Sequence, residues 1–99
     1  MAAENDGTPP RTRLLARALG RVQGVGFRYW AKDQAEQLGL TGAALNEPDG
    51  SVKIVAEGPR QAVEEFRQQL ESGRTPGRIE RLDASYSHAT GEFTDFGVG

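Results

Sequence analysis

Gly20-Arg21-Val22-Gln23-Gly24-Val25-Gly26-Phe27-Arg28 is the stretch on which the fold turns. Its glycines at 20, 24 and 26 interrupt any regular element. Upstream, Leu14, Ala16 and Ala18 alternate with Arg13, Leu15, Arg17 and Leu19, so the sequence predicts a strand over Arg13–Leu19. Downstream, Phe27, Trp30, Ala31, Gln34, Ala35 and Leu38 share one face of a 3.6-residue period, and Gly39 ends it. The stretch is therefore a Gly20–Gly26 loop joining a strand to a helix.

Working outward gives the remaining elements. Thr41–Leu45 reads as a short strand, and Asn46-Glu-Pro-Asp-Gly50 as a turn. Ser51–Glu57 is a strand with Val52, Ile54 and Ala56 on one face. Gly58-Pro59 opens a second helix, with Pro at its first position and Ala62, Val63, Phe66 and Leu70 as its apolar stripe, ending at Gly73. Ile79–Ser87 alternates through Leu82, Ala84 and Tyr86, and a shorter strand spans Phe93–Val98. The order β-α-β-β-α-β predicts an α+β, ferredoxin-like sandwich: an antiparallel sheet with two helices on one face, plus a short C-terminal strand of unassigned place. Residues 1–10 lack periodicity and read as a disordered tail, leaving 11–99 as one domain.

Composition narrows the chemistry. The chain has 99 residues, 12 Lys+Arg, 14 Asp+Glu, one His and no Cys. Without Cys there is no disulfide framework, zinc finger or thiol nucleophile. No apolar run approaches a membrane span, and Met1–Pro10 is no signal peptide, so a cytoplasmic protein is expected. The net charge of −2 hides an asymmetry. Between Asp6 and Asp33 there is no acid, while Arg11, Arg13, Arg17, Arg21, Arg28 and Lys32 carry half the positive charge. Two readings stay open: a local anion site, or a solvated basic strand edge.

The loop bears on that choice. Glycines let backbone N–H groups approach one point, and a helix start adds more N–H groups facing the same way. Arg28 at the helix head adds a planar fork of donors suited to phosphate. An ordinary tight connection would use glycines too. Familiar glycine motifs are excluded: Tyr29 breaks G-x-G-x-x-G, no Gly-Lys-Ser/Thr follows, and G-x-S-x-G is absent.

Gly20–Arg28 closely resembles the signature of the acylphosphatase family. Leu40-Thr-Gly42, then Asn46 with Asp49-Gly50-Ser51-Val52, resembles that family's second motif. Ala56-Glu57-Gly58 and Gly91-Glu-Phe-Thr-Asp-Phe96 extend the likeness, which runs from Leu14 to Val98. The resemblance implies that Arg28 binds a phosphoryl group with the backbone of Arg21, Val22, Gln23, Gly24, Val25, Gly26 and Phe27, and that Asn46 positions the attacking water. It implies hydrolysis of a small-molecule acyl phosphate by a monomer, with no cofactor, no metal, no nucleic acid and no membrane partner. The sequence departs from the family pattern at Ala43, Ala44 and Leu45 ahead of Asn46, at Glu47 after it, and at Val98-Gly99, where a basic residue is common. These departures bear on substrate contacts.

Other residues have plainer roles. His88 reads as an exposed loop residue, Trp30 and Phe27 as core, and Glu64-Glu65 as a solvated helix face. The side chain of Arg21 either faces solvent or attracts the anion. The rival functions are a catalytically degenerate phosphate-binding domain and an RNA-binding ferredoxin-like module. The latter needs stacking aromatics on a central strand, and Ser51–Glu57 has none.

Overall fold

The computed structural model describes residues 11–99. The tail expected over 1–10 lies outside the described residues. The elements are β1 (Arg11–Arg21), α1 (Phe27–Gln37), β2 (Thr41–Asn46), β3 (Val52–Pro59), α2 (Arg60–Leu70), β4 (Arg78–His88) and β5 (Phe96–Val98).

Alternation in β1 and β3 puts Leu14, Ala16, Ala18, Val52, Ile54 and Ala56 on one buried face. Both helices lie on that face. Phe27, Ala31 and Ala35 of α1, and Val63, Phe66 and Leu70 of α2, complete the core. The rings of Phe66 and Phe96 meet edge to face at 6.2 Å, tying α2 to β5. The strand order is β4-β1-β3-β2-β5. β3 is central, and β1 beside it pairs antiparallel with both β3 and β4.

The ferredoxin-like reading holds, with corrections at element ends. The sheet is mixed, because β5 runs parallel to β2. The reason is the connector: β4 ends where His88 faces Thr12, and residues 89–95 stay at that end of the sheet. A strand leaving from there must run opposite to β4, and so alongside β2. The last strand starts at Phe96, not Phe93, because the preceding residues are bound to Glu57. Thr90 and Gly91 donate their N–H groups to its carboxylate at 2.9 Å each. Phe93 instead lies under the Arg13 guanidinium, 5.8 Å from the ring centre.

Three further boundaries shift. Gly20 and Arg21 belong to β1, paired with Ile79 and Arg78, so the loop proper is Val22–Gly26. Pro59 closes β3 opposite Arg11 and precedes α2, its ψ of 140° being extended, so the helix begins at Arg60. His88 is exposed as expected, but it ends β4 rather than lying in a loop.

Candidate active site

At the end of β1 the chain turns through Val22–Gly26 into α1. Val22 and Phe27 are buried, and Val25 packs against the core. Phe27 also stacks on Trp30, with centroids 5.9 Å apart. The loop is thus pinned by inward side chains of Val22, Val25 and Phe27, with Gly24 and Gly26 exposed between them. Gly26 precedes the helix at φ 84°, a left-handed conformation that disfavours any side chain. No side chain caps this end. The first helical bond runs from the Trp30 N–H to the Gly26 carbonyl at 3.0 Å. The N–H groups of Phe27, Arg28 and Tyr29 therefore have no acceptor within the helix. The first turn contains no acid, so the positive end of the helix is not neutralised locally.

Asn46 ends β2 and is exposed. The turn after it is held by its own bonds. Glu47 N–H donates to the Ser51 carbonyl at 2.9 Å, and Gly50 N–H to the Glu47 carbonyl at 3.1 Å. Asp49 Oδ1 accepts from the Ser51 hydroxyl at 2.6 Å and from the Ser51 N–H at 2.9 Å. The Ser51 hydroxyl bond, then its N–H, then the nearby Arg17 charge hold the Asp49 carboxyl below its ordinary value.

Arg28 and Asn46 meet through one oxygen. Arg28 Nη1 donates to the main-chain oxygen of Gly99 at 2.7 Å, and the Asn46 N–H donates to the same oxygen at 3.0 Å. Gly99 N–H in turn donates to the Ala44 carbonyl at 3.0 Å, continuing the β2–β5 pairing. Among the described residues the Asn46 side-chain amide has no hydrogen-bond partner. It is available to a small polar molecule beside the loop.

The other candidate residues separate by role. The side chain of Gln23 is turned away from the loop's open side, toward the turn after Asn46. Its Nε2 donates to the Glu47 carbonyl at 2.8 Å and the Ser51 carbonyl at 2.9 Å. Arg21 is exposed and is paired through its main chain to β4, whereas Arg28 reaches the β2–β5 side. Lys32 is occupied by Glu36 at 2.7 Å and the Phe96 carbonyl at 2.9 Å, and the Glu36 bond raises its pKa. Arg13 pairs with Glu57, and Arg17 with Asp49 at 3.4 Å, so much of the basic stretch is structural. Trp30 packs against the core, and Glu64 pairs with Arg60 one turn away. His88 stands at the opposite end of the sheet from the loop.

Sequence reasoning missed two participants. The Gly99 oxygen has no residue-type signal, because it belongs to the main chain and not to a side chain. The Gln23 tether was hidden because its acceptors are carbonyls as well. Among the described residues no group of three or more His, Cys, Asp or Glu is arranged to hold a metal ion. What the site offers is the unpaired backbone N–H groups at the start of α1, one guanidinium and one side-chain amide, with Arg28 and the Asn46 main chain joined through the Gly99 oxygen.

Comparison with known proteins points the same way. The family model described as Acylphosphatase matches residues 15–98. An acylphosphatase of Arthrobacter sp. is 50% identical over 97 residues, covering 98% of this chain and 88% of that protein. One from Thermobifida fusca is 49% identical over 86 residues, covering 87% of this chain and 94% of the relative. The crystal structure of the acylphosphatase from Bacillus subtilis superposes with a TM-score of 0.82 at 29% identity, covering 89% of this chain and 98% of that one.

Proposed function

The chain belongs to the acylphosphatase family, and from that premise we propose that Arg28, the amides of the Val22–Phe27 segment and Asn46 together carry out acylphosphatase hydrolysis. The substrate is a small acyl phosphate, and the products are a carboxylate and inorganic phosphate. The supporting observation is the shared Gly99 oxygen, which brings the Arg28 guanidinium and Asn46 together beside the uncapped start of α1.

The chemistry needs little more. An acyl phosphate is a mixed anhydride whose leaving carboxylate is weakly basic, so the departing oxygen requires no general acid. Charge in a loose phosphoryl-transfer transition state spreads over the peripheral oxygens. Fixed N–H dipoles and the Arg28 fork stabilise that charge without reorganising. Asn46 accepts a hydrogen bond from water through its side-chain oxygen and aims a lone pair at phosphorus. The water oxygen bonds to phosphorus as the bond to the acyl oxygen breaks, and that electron pair leaves on the carboxylate. The water proton passes to a phosphoryl oxygen of the substrate. Every donor in this account comes from one chain. The reading extends accordingly to a cytoplasmic monomer that turns over without added metal. No described helix is long and apolar enough to cross a membrane.

The test is steady-state hydrolysis of benzoyl phosphate with EDTA present. Arg28→Ala loses about 10²–10³-fold in kcat, the range for removing one preorganised donor. Turnover within tenfold of wild type refutes its role. Asn46→Ala lowers kcat with little change in KM, because it touches water and not phosphate. A raised KM at unchanged kcat reassigns Asn46 to binding. Phosphate-dependent stabilisation without turnover supports the degenerate binder instead. An RNA-binding role has less support, since the outward positions of the central strand β3 are Lys53, Val55 and Glu57.

A further inference from the structure

We propose that Gln23 is a positioning residue for the hydrolysis: its side-chain amide fixes where Asn46 stands relative to the phosphate loop. The proposal rests on Asn46 as the residue that aims the water.

The geometry is specific. Gln23 Nε2 donates one hydrogen to the Glu47 carbonyl at 2.8 Å and the other to the Ser51 carbonyl at 2.9 Å. Glu47 directly follows Asn46, and Ser51 directly precedes Val52, the register partner of Asn46. One amide therefore grips the β2–β3 hairpin on both strands at the point where Asn46 leaves the sheet. Among the described residues, no other side-chain hydrogen bond joins Val22–Gly26 to the turn 47–51. Arg17 also reaches that turn, but from within β1. Beyond the β1–β3–β2 pairing and the Arg28–Gly99–Asn46 bridge, Gln23 thus adds a direct side-chain tie between the loop and the turn that follows Asn46.

This arrangement also argues against Gln23 contacting substrate through its side chain. Both of its hydrogens are already committed. Its remaining polar atom, Oε1, is an acceptor, which an anionic phosphoryl group would not welcome. Few other residues could do the job. Asn is one methylene too short, Met has the length but no donor, and ionised Glu would set a negative charge against two carbonyl oxygens. Displacing a water-orienting group by a fraction of an ångström is costly, because the attacking atom must lie in line with the bond being broken.

The test is a double-mutant cycle on the intact chain with benzoyl phosphate as substrate and inorganic phosphate as competitive inhibitor. Gln23→Met is expected to lower kcat about ten- to a hundredfold, as misplacement without loss of a reacting group does. The inhibition constant for phosphate should move by less than about threefold, since the loop donors stay in place. Added to Asn46→Ala, Gln23→Met should cost nothing further, because the residue it positions is gone. Additive losses would overturn the proposal, as would a weakened phosphate affinity at unchanged kcat. If Asn46→Ala alone keeps the wild-type kcat, the water-aiming reading fails and this proposal falls with it. If Asn46→Ala is impaired and Gln23→Met is not, only the proposal for Gln23 fails. Should Gln23→Met fold poorly, Gln23→Glu gives an independent readout. Its kcat relative to wild type should rise as the pH falls and the new carboxyl regains one donor hydrogen. A flat ratio across that range would count against the tether.

Discussion

The two ends of the sheet face the same electrostatic problem and resolve it in opposite ways. At the far end, the carboxylate of Glu57 is 1% exposed and accepts from the Thr90 and Gly91 N–H groups, the Thr90 hydroxyl and Arg13, all at 2.9–3.0 Å. At the loop end, the same kinds of donor gather at the start of α1: main-chain N–H groups and an arginine. There, among the described residues, no Asp or Glu side chain pairs with Arg28, whose bond goes to the Gly99 oxygen. An anion cradle filled by the protein's own side chain is a structural joint; in our proposal the donors at the loop end serve the substrate instead. What separates them is whether the complementary charge is built in.

Substitutions at the two ends can break this contrast. Arg28→Ala, the largest effect, should lower kcat about 10²–10³-fold while moving the melting temperature little, because Arg28 is only half-buried and outside the core. Glu57→Gln should do the reverse. It keeps the shape but removes the charge from a buried cluster of donors, a loss of about 2–3 kcal/mol. For a domain of this size that lowers Tm by roughly 10–20 °C, read by thermal melts. The kcat of the folded fraction should be unchanged at low temperature. A large fall in kcat without a fall in Tm would show that the ends are not separable. Gly26→Ala should cost about 1–2 kcal/mol, because φ 84° is left-handed for an alanine, and should also weaken phosphate inhibition. Unaltered inhibition would remove the helix start from the cradle.

The smallest effect is on acid stability. Burial pushes the Glu57 carboxyl up, but its hydrogen bonds from Thr90, Gly91 and Arg13 outweigh that and hold it below its ordinary 4.5. The Ser51 bonds lower the Asp49 carboxyl in the same sense. A lowered pKa means stability present above the ordinary value and lost as pH falls through the folded one. Denaturant melts should therefore show stability declining below about pH 4.5, less steeply in Glu57→Gln. Equal slopes would remove Glu57 as a source of acid sensitivity.

Much of this molecule was legible in its sequence, and the parts that were not share a cause. β1, α1, β3 and α2 each carry several apolar residues in phase, and burial enforces that phase. β5 has three residues, too few for a period, and its parallel direction depends on where residues 89–95 are fastened. Glu57 attracted no attention as a core residue, because a carboxylate is buried only when its donors are present, and those lie more than 30 positions away. Arg28 and Asn46 were singled out by resemblance. That they share an oxygen is a tertiary fact, since 71 positions separate Arg28 from Gly99. For Gln23 the resemblance concerns the backbone N–H, and the bonds of its side-chain amide to carbonyls of the neighbouring hairpin are a separate, tertiary fact.

The fastening of residues 89–95 on one buried carboxylate has a consequence for the far end of the sheet. β5 is three residues long and, among the described residues, pairs with β2 alone. Glu57 holds the connector that leads into it. Phe96, the first residue of β5, is buried against Phe66 and anchors the strand in the core. From there two more residues bring the Gly99 oxygen to Arg28 and Asn46. A carboxylate at one end of the sheet thus sets the starting point of the short segment whose last oxygen two residues share at the other.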